Sequence, residues 1–381
     1  MHYKMEDALE YIIDYRGKTP VKSDAGIETL SARSVRDGYI DYSQCYYISS
    51  EEYKRFMVRG FPQIGDVLLT TEAPLGVTAR LDRDDVAIAQ RLLTLRGKAG
   101  ILDTGFLYYY LRSNIGQSKL KAKETGTTVT GIKQSEFRTI EIDIPDIGTQ
   151  QKIASILDSI DKKIKTNKHI NQNLQEQAKA LYSDMIVDKA DGTWIPGTLS
   201  DVAIVTMGQS PKGDTYNEDG TGTVFFQGRA EFGFRFPTRR LYTTEPKRMA
   251  QLNDALMSVR APVGDLNVAY EDCCIGRGLS AIRSKDGHQS YVLYTMFDLR
   301  EQLDVFNGEG TVFGSINRDA LNNMPISIPP KNVMDQFEAL VSPMDATIRN
   351  NYEEICRLES LRDSILPRLM SGELDVSEIE V

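Results

Sequence analysis

The sequence of 381 residues has no apolar run that approaches the roughly 18 residues of a membrane-spanning helix. Its first residues include Glu6 and Asp7, where a signal peptide would carry positive charge ahead of an apolar stretch. Cysteine is scarce, and the four present show neither a C-x-x-C spacing nor the pattern of a disulfide framework. These absences argue against a membrane or secreted protein, and we expect a cytoplasmic chain with reduced cysteines.

The residue patterns of common catalytic sites are also missing. Three histidines are scattered along the chain, so neither a two-histidine metal site nor a Ser/His/Asp arrangement is indicated. Gly17-Lys18-Thr19 lacks the upstream glycine of a phosphate-binding loop. Asp146, Asp161 and Lys163 are residue types found in nuclease sites, but the last two lie two positions apart on a predicted helix and point in different directions. We therefore expect no catalytic residues, no metal and no cofactor.

Acidic residues exceed basic ones by 54 to 45, and the formal net charge of −9 argues at first against a nucleic-acid-binding protein. The excess is concentrated at one end, because residues 331–381 hold 11 acidic and 5 basic side chains. The rest of the chain is close to neutral and has room for a basic face. Composition therefore leaves DNA binding open without favouring it.

Short motifs recur in the same order in the two halves of the sequence, with an offset that drifts from 191 to 184 residues. The repeated motifs are Gly17-x-x-Pro20 and Gly208-x-x-Pro211, Ala73-Pro74-x-Gly76 and Ala261-Pro262-x-Gly264, Gly126-Thr127 and Gly310-Thr311, and Ile142-x-Ile144-Pro145 and Ile326-x-Ile328-Pro329. One match can arise by chance, but an ordered series with a slowly drifting offset indicates an internal duplication. Strand-like runs punctuated by glycine and proline, with a predicted helix near 106–112 and another near 291–299, indicate mixed α and β globular domains.

Each half is followed by a long segment, residues 147–191 and 331–381, in which apolar residues step alternately by three and four positions. This spacing is the heptad seam of a coiled coil, and it predicts two long helices that pack on each other rather than only on their own domains. Asn167 and Asn351 occupy equivalent positions of the two seams, near the middle of each helix. A two-fold relation between the copies predicts an antiparallel pair with these asparagines opposite each other.

Arginine and aromatic residues are interleaved between residues 229 and 240, a pattern that suits DNA recognition. Guanidinium groups bind guanine edges or phosphates in two-point contacts, and aromatic rings stiffen a loop or stack. An ordinary solvated surface explains any one of these residues, but matched basic stretches in duplicated domains favour DNA binding. The candidate DNA-binding residues are Arg33, Arg36, Arg59, Arg229, Arg235, Arg239 and Arg240.

Taken in order, these motifs resemble those of the specificity subunit of type I restriction-modification enzymes. The resemblance covers essentially the whole chain. It rests on the Gly-x-x-Pro openings, Gly65-Asp66-Val67-Leu68-Leu69, both Ala-Pro-x-Gly motifs, and Ile-Pro followed by Gln151-Lys152-Ile153. The second copy departs from this pattern at Asn253, which replaces the glycine, and at Asp335-Gln336-Phe337.

The resemblance implies two duplicated α/β target-recognition domains, residues 1–146 and 192–330, each followed by a long helix (147–191 and 331–381) of an antiparallel coiled coil. Each domain would read one half of a split, asymmetric DNA sequence, and the helices would set the gap between the halves. Two methylation subunits would dock on the helices and restriction subunits would complete the complex, so the chain itself needs no active site. Two alternatives stay open: a stand-alone DNA nuclease or methyltransferase, and a coiled-coil scaffold with two adaptor heads that does not bind DNA.

Overall fold

A computed structural model describes residues 1–15, 17–126, 130–308 and 314–376. The described chain is mixed α and β, as predicted, and it separates into two compact units. Unit 1 consists of Met1–Thr166 and Glu354–Val381, and unit 2 consists of Asn167–Glu353. No helix among the described residues is long and apolar enough to cross a membrane. The repeated motifs Gly126-Thr127 and Gly310-Thr311 lie in part outside the described residues.

Short strands and helices alternate along the first part of the chain. The strands are β1 (His2–Lys4), β2 (Leu9–Asp14), β3 (Ile27–Leu30), β4 (Val35–Arg36), β5 (Tyr39–Ile40), β6 (Tyr46–Ile48), β7 (Val67–Thr71), β8 (Leu75–Arg80), β9 (Ala87–Ile88), β10 (Leu92–Gly97) and β11 (Glu141–Asp143). The helices are α1 (Met5–Ala8), α2 (Ser50–Phe56), α3 (Thr104–Arg112), α4 (Asn114–Ala122), α5 (Gln134–Arg138) and the long α6 (Ile147–Tyr182).

The main sheet of unit 1 is antiparallel with the order β2-β10-β7-β8. Its strand β7 is buried along its whole length, which fits the continuous apolar run Val67-Leu68-Leu69. The helix predicted near residue 106 is present as α3, and the Asp103 carboxylate caps it by accepting from the Phe106 N–H at 2.8 Å. A second sheet has the order β6-β3-β9, with β3 and β9 parallel. Strands β1 and β11 pair separately and bring the chain start beside the strand that precedes α6.

The second part of the chain has a closely similar series of elements. The strands are β12 (Ile195–Thr198), β13 (Ala203–Met207), β14 (Tyr216–Asn217), β15 (Thr223–Phe226), β16 (Leu241–Thr243), β17 (Met249–Ala250), β18 (Ala255–Ser258), β19 (Leu266–Val268), β20 (Cys273–Ile275), β21 (Leu279–Ser284) and β22 (Pro325–Ile328). The helices are α7 (Leu199–Val202), α8 (Gln289–Asp298), α9 (Arg300–Asp304), α10 (Arg318–Asn322) and the long α11 (Lys331–Ser371).

The main sheet and one strand pair of unit 2 correspond in order to those of unit 1. The antiparallel sheet β13-β21-β18-β19 matches β2-β10-β7-β8, and the pair β12–β22 matches β1–β11. The remaining sheet, β14-β16-β15-β20-β17, contains the parallel pair β15 and β20, which matches β3 and β9. The second predicted helix is present as α8.

A buried aspartate is bound by arginine in the same way in both main sheets. Asp66 precedes β7 and accepts from Arg96 Nε and Nη2 at 2.7 and 2.8 Å. Asp254 precedes β18 and accepts from Arg283 Nε and Nη2 at the same distances. A two-point arginine–carboxylate contact fixes the orientation of both groups, so each pair holds the sheet to the turn before its central strand.

The Ala-Pro motifs form matching turns. Both Ala73-Pro74 and Ala261-Pro262 are cis. The Thr70 hydroxyl donates to the Pro74 carbonyl at 2.7 Å. In unit 2 the Ser258 hydroxyl donates to the Pro262 carbonyl, also at 2.7 Å. The recurring sequence motif therefore encodes a recurring backbone shape and a side-chain contact that holds it.

The long helices bury or partly bury the apolar residues of the predicted heptad seams. In unit 1, Ile160, Ile164 and Ile355 form a buried cluster. In unit 2, Asn351 donates its side-chain amide to Asn171 Oδ1 at 2.8 Å. The sequence predicted Asn167 opposite Asn351, but the residue that accepts this bond lies one helical turn further along α6.

A buried histidine joins the start of α8 to the start of α11. His288 Nε2 lies 2.7 Å from Asp335 Oδ1, and its Nδ1 lies 2.9 Å from Asp286 Oδ1. The Lys331 ammonium also donates to Asp335 at 2.8 Å. Burial opposes the charged ring, but the contacts with Asp335 and Asp286 outweigh this effect and raise the pKa of His288 above its usual value.

Replacing Asn171 with leucine should lower the free energy of unfolding by about 1–3 kcal/mol, because the Asn351 amide loses its acceptor. Replacing both Asn171 and Asn351 with leucine should recover the loss and exceed wild-type stability, because two apolar side chains then face each other. Urea unfolding followed by the fluorescence of Trp194, the single tryptophan and a core residue of unit 2, measures both effects. A single variant as stable as wild type would contradict this account of the seam.

The stability of unit 2 should fall as pH rises above the ordinary histidine range. The folded state holds the proton on His288 more tightly than the unfolded chain does, because folding raises the pKa of His288. The contribution is therefore complete below about pH 6.5 and is lost as pH rises through the folded-state pKa. Thermal unfolding followed by Trp194 fluorescence compares wild type with His288→Gln. The difference between their thermal midpoints should shrink as pH rises from about 6.5 through the folded-state pKa of His288. A difference that stays constant or grows with pH would show that the charged ring does not stabilise unit 2.

Candidate nucleic-acid interface

Two of the predicted arginines lie at matching places in the fold. Arg33 follows β3 by three residues, and Arg229 follows β15 by three residues. Strand β3 runs parallel to β9, and β15 runs parallel to β20. In each pair, the loops that follow the two strands therefore emerge at the same edge of their sheet. The carboxyl ends of parallel strands are a common place for ligand-binding loops.

The exposed arginines of unit 2 are held by carboxylates. Arg229 pairs with Asp265, Arg239 pairs with Glu271, and each arginine side chain is half exposed. Arg240 donates from Nη2 to the buried Glu231 at 2.6 Å. The exposed pairs of Arg229 and Arg239 contribute roughly 0–1 kcal/mol each, so a DNA phosphate or guanine can displace the carboxylate at small cost. Loss of the Arg240 contact would leave the buried Glu231 carboxylate without this partner, so Arg240 is compatible with DNA contact only while it keeps that bond.

Arg235 differs from its neighbours, because only 4% of its side chain is exposed. Its guanidinium donates from Nη2 to the Tyr294 hydroxyl at 2.8 Å and pairs with Asp345 of α11. The Tyr294 hydroxyl in turn donates to Asp345 Oδ1 at 3.1 Å. A guanidinium enclosed in this way cannot reach DNA without breaking a buried ion pair, which costs several kcal/mol. We therefore correct the expectation for Arg235: it is a structural residue that joins the loop after β15 to α11.

The predicted arginines of unit 1 are exposed or partly exposed. Arg33 is exposed and makes no side-chain ion pair within the described ranges. Arg36 lies 3.7 Å from Asp41. Arg59 donates to the Asp14 carbonyl at 2.6 Å, and its guanidinium lies over the ring of Tyr15. Of the three, Arg33 thus has the fewest contacts within the protein, whereas Arg59 also stabilises its own loop.

Three backbone segments that follow strands of unit 2 meet beside Arg229, and we call them the loop cluster (residues 208–210, 227–229 and 276–278). The Gly276 N–H donates to the Phe226 carbonyl at 2.8 Å, and the Gln209 N–H donates to the Ile275 carbonyl at 2.9 Å. A Cβ atom on Gly208 would lie 2.1 Å from the Gly276 carbonyl oxygen, so only glycine fits there. The Gly208-x-x-Pro211 motif is visible in the sequence, but the strand ends against which it packs are not.

The carboxylates considered as nuclease residues have structural partners. Asp146 caps α6 by accepting from the Thr149 N–H at 3.1 Å, and hydrogen bonds from Thr149 lower the pKa of that carboxyl. Asp161 accepts from the Tyr109 hydroxyl at 2.9 Å and from Arg362 at 3.0 Å. Within the part of the chain that the structure describes, no cluster of three or more His, Cys, Asp and Glu side chains has the arrangement of a metal site.

Asp345→Ala should lower the free energy of unfolding by about 3–5 kcal/mol, because it leaves the buried Arg235 guanidinium without its counter-ion. Asp214→Ala, which removes an exposed carboxylate of the same unit, should change it by less than about 0.5 kcal/mol. Urea unfolding monitored by Trp194 fluorescence compares the two variants with wild type. Equal stability of the two variants would contradict the structural role of Arg235.

Comparisons with known proteins agree with the resemblance in the sequence. Residues 17–176 match the family model of the type I restriction modification DNA specificity domain. The MjaX specificity subunit of a type I restriction enzyme from Methanocaldococcus jannaschii is 28% identical over 98% of this chain and 93% of its own length. The MjaIX specificity subunit of the same organism is 24% identical over 87% of this chain and 82% of its own length.

A solved structure has a similar fold. The S subunit of a type I restriction-modification system from M. genitalium superposes with a TM-score of 0.63 at 15% identity, covering 97% of this chain and 95% of that one. The family-model match and the long alignments to specificity subunits concern sequence, and this superposition concerns the fold. The sequence comparisons and the superposition therefore agree that the chain is similar to the specificity subunits of type I restriction-modification enzymes.

Proposed function

We propose that this chain is the DNA sequence-recognition subunit of a type I restriction-modification complex and carries no active site of its own. The observation that carries the proposal is the recurrence of one framework in both units. The order of the main sheet, the buried Asp–Arg pair and the Ala-Pro turn recur, whereas the exposed residues that follow the parallel strands differ apart from the matching Arg33 and Arg229. A shared framework with different exposed loops suits two readers of different DNA sequences.

The target is proposed to be bipartite and asymmetric. Residues 1–146 form the first target-recognition domain and residues 192–330 form the second, as copies of one ancestral unit. Each reads one half of the site. The DNA-facing arginines are proposed to be Arg33, Arg36, Arg59, Arg229, Arg239 and Arg240, with Arg235 omitted because it is buried.

The long helices, within residues 147–191 and 331–381, are proposed to form an antiparallel coiled coil that sets the spacing between the half-sites. Contacts inside unit 2 support this direction, since Asn171 meets Asn351 and Tyr182 meets Phe337. Higher residue numbers on α6 therefore meet lower numbers on α11. A rigid helix pair transmits distance well, because each residue adds a fixed rise of about 1.5 Å.

The partners are proposed from the family. Two methylation subunits dock on the helices and supply the methyl-transfer chemistry, and restriction subunits complete the complex that cuts DNA. This division accounts for a recognition chain with a net charge of −9, because the partners can supply much of the phosphate contact. Double-stranded DNA is the ligand of the assembled complex.

Selection of binding sites from a randomised DNA library, with the chain assembled with its methylation subunits, tests the proposal. We expect enrichment of two defined half-sites separated by a fixed number of unspecified base pairs. Exchange of residues 192–330 for those of a relative with a different target should change one half-site and leave the other half and the spacing intact.

Two results would count against the proposal. If the wild-type assembly selects no sequence, the chain is not the recognition subunit. If the exchange alters both half-sites, the two units do not read DNA independently. The unassembled chain, run in parallel, shows how much of the affinity the methylation subunits contribute.

A further inference from the structure

The loop cluster of unit 2 holds three different loops in fixed contact. The Gly278 N–H donates to the Gln227 carbonyl at 3.2 Å, which joins the second loop to the third. The Arg277 N–H donates to the Ser210 hydroxyl at 3.2 Å, which joins the third loop to the first. A Cβ atom on Gly276 would lie 2.9 Å from the Gln227 Cα, so the backbones are in close packing contact. Each loop is therefore fixed by the other two.

The side chains that this rigid backbone presents have the chemistry of base recognition. Gln209, Gln227, Arg229 and Arg277 are all exposed. A glutamine amide offers a donor and an acceptor side by side, which match the N6 and N7 atoms of adenine in the major groove. An arginine offers paired donors for guanine or phosphate. Two exposed glutamines and two exposed arginines therefore lie on three loops that are bonded to one another.

Of the two arginines in the loop cluster, Arg277 is the one whose charge is not balanced by a carboxylate among the described residues. Arg229 is held by Asp265, whereas the Arg277 side chain has no carboxylate partner among the residues that the structure describes. Glycines on both sides allow the backbone to approach closely, and the Ser210 contact fixes the Arg277 N–H. A fixed backbone with an uncompensated cation is suited to hold a phosphate, because little conformational freedom is lost on binding.

The same strand-end geometry in unit 1 carries different side chains. The Ala89 N–H donates to the Leu30 carbonyl at 2.8 Å, as Gly276 does to Phe226 in unit 2. The Arg91 carbonyl accepts from the Thr71 N–H, as the Gly278 carbonyl accepts from Val259. Arg277 therefore corresponds to Gln90. The sequence motifs likewise align Gln209 with Lys18. One backbone arrangement thus carries two different sets of donors and acceptors.

We infer that Gln209 and Gln227 read base edges in the half-site of unit 2 and that Arg277 anchors an adjacent DNA phosphate. This inference rests on the proposed function and goes beyond it, because it assigns the reading groups to the loop cluster. The glutamines specify sequence, with adenine as their preferred base. Arg277 contributes affinity without sequence preference.

Site selection and quantitative DNA binding by the assembled complex test the assignment with Gln209→Ala, Gln227→Ala and Arg277→Ala. Each glutamine variant should lose preference at one or two positions of a single half-site, with roughly 5- to 140-fold less discrimination there. Arg277→Ala should weaken binding to all sequences alike and reduce the slope of log affinity against log salt by about 1. The other half-site should stay unchanged in all three variants.

Gln302→Ala and Arg318→Ala are the matched controls, because both remove an exposed side chain of the same type from helices of unit 2. Thermal unfolding and assembly with the methylation subunits must match wild type for every variant compared. Gln90→Arg in unit 1 gives a second arm, and it should strengthen binding and raise the salt slope.

Glutamine variants that keep the wild-type half-site while the wild-type assembly selects a bipartite sequence would overturn the assignment and leave the proposed function standing. An Arg277→Ala complex with the affinity and salt slope of Arg318→Ala would overturn the phosphate anchor. Failure of the wild-type assembly to select any sequence would instead remove the proposed function on which the inference rests.

Discussion

The position of each globular part depends on one kind of contact with a long helix. In this contact a carboxylate of the helix binds a buried tyrosine hydroxyl and an arginine. In unit 1 the Tyr109 hydroxyl donates to Asp158 at 2.7 Å and to Asp161 at 2.9 Å, and Arg80 also binds Asp158. In unit 2, Tyr294 and Arg235 meet on Asp345. Burial, with the neighbouring carboxylates, raises the pKa of Tyr109 and that of Tyr294, so both hydroxyls stay protonated as donors. Such groups are costly to leave unpaired, which favours a single docking geometry between sheet and helix.

The two units meet this requirement with arginines from different places in the chain. Arg80 lies on β8, whereas Arg235 lies in the loop after β15. Tyr109 of α3 and Tyr294 of α8 lie at equivalent places, but the arginine and the carboxylate that it binds do not. Consequently, an arginine in a loop proposed to contact DNA can instead hold the framework together. Between residues 229 and 240, Arg235 is buried in this way, whereas Arg229 and Arg239 are half exposed.

The sequence predicted features that depend on local pattern. Val67-Leu68-Leu69 marked a buried strand and the repeated Ala-Pro motifs marked matching turns. The three-and-four spacing of apolar residues marked the long helices. The sequence could not show that Arg235 is buried and Arg239 is exposed, because both are arginines in one loop rich in aromatic residues. The difference depends on Asp345, which is distant in sequence and pairs with Arg235. Nor could the sequence show the hydrogen bond between Asn351 and Asn171, since the 3.5-residue repeat leaves neighbouring seam asparagines equivalent until the helices are packed.

The loop cluster escaped prediction for a related reason. Gln227 and Arg277 are far apart in sequence and become neighbours because β15 and β20 run parallel and end together. The loop of Gln209 joins them through the bond from the Gln209 N–H to the Ile275 carbonyl. The bonds that join the loops are made by main-chain atoms and by the Ser210 hydroxyl, so they place little demand on the exposed side chains of Gln209, Gln227 and Arg277. Those side chains can therefore change without loss of the backbone arrangement, as Lys18 and Gln90 show in unit 1. In such a framework, backbone bonds fix the conformation of a loop and exposed side chains contact its ligand. A few substitutions of those side chains can therefore change the ligand without disturbing the loop. This separation explains how two units with one sheet order can carry such different surfaces.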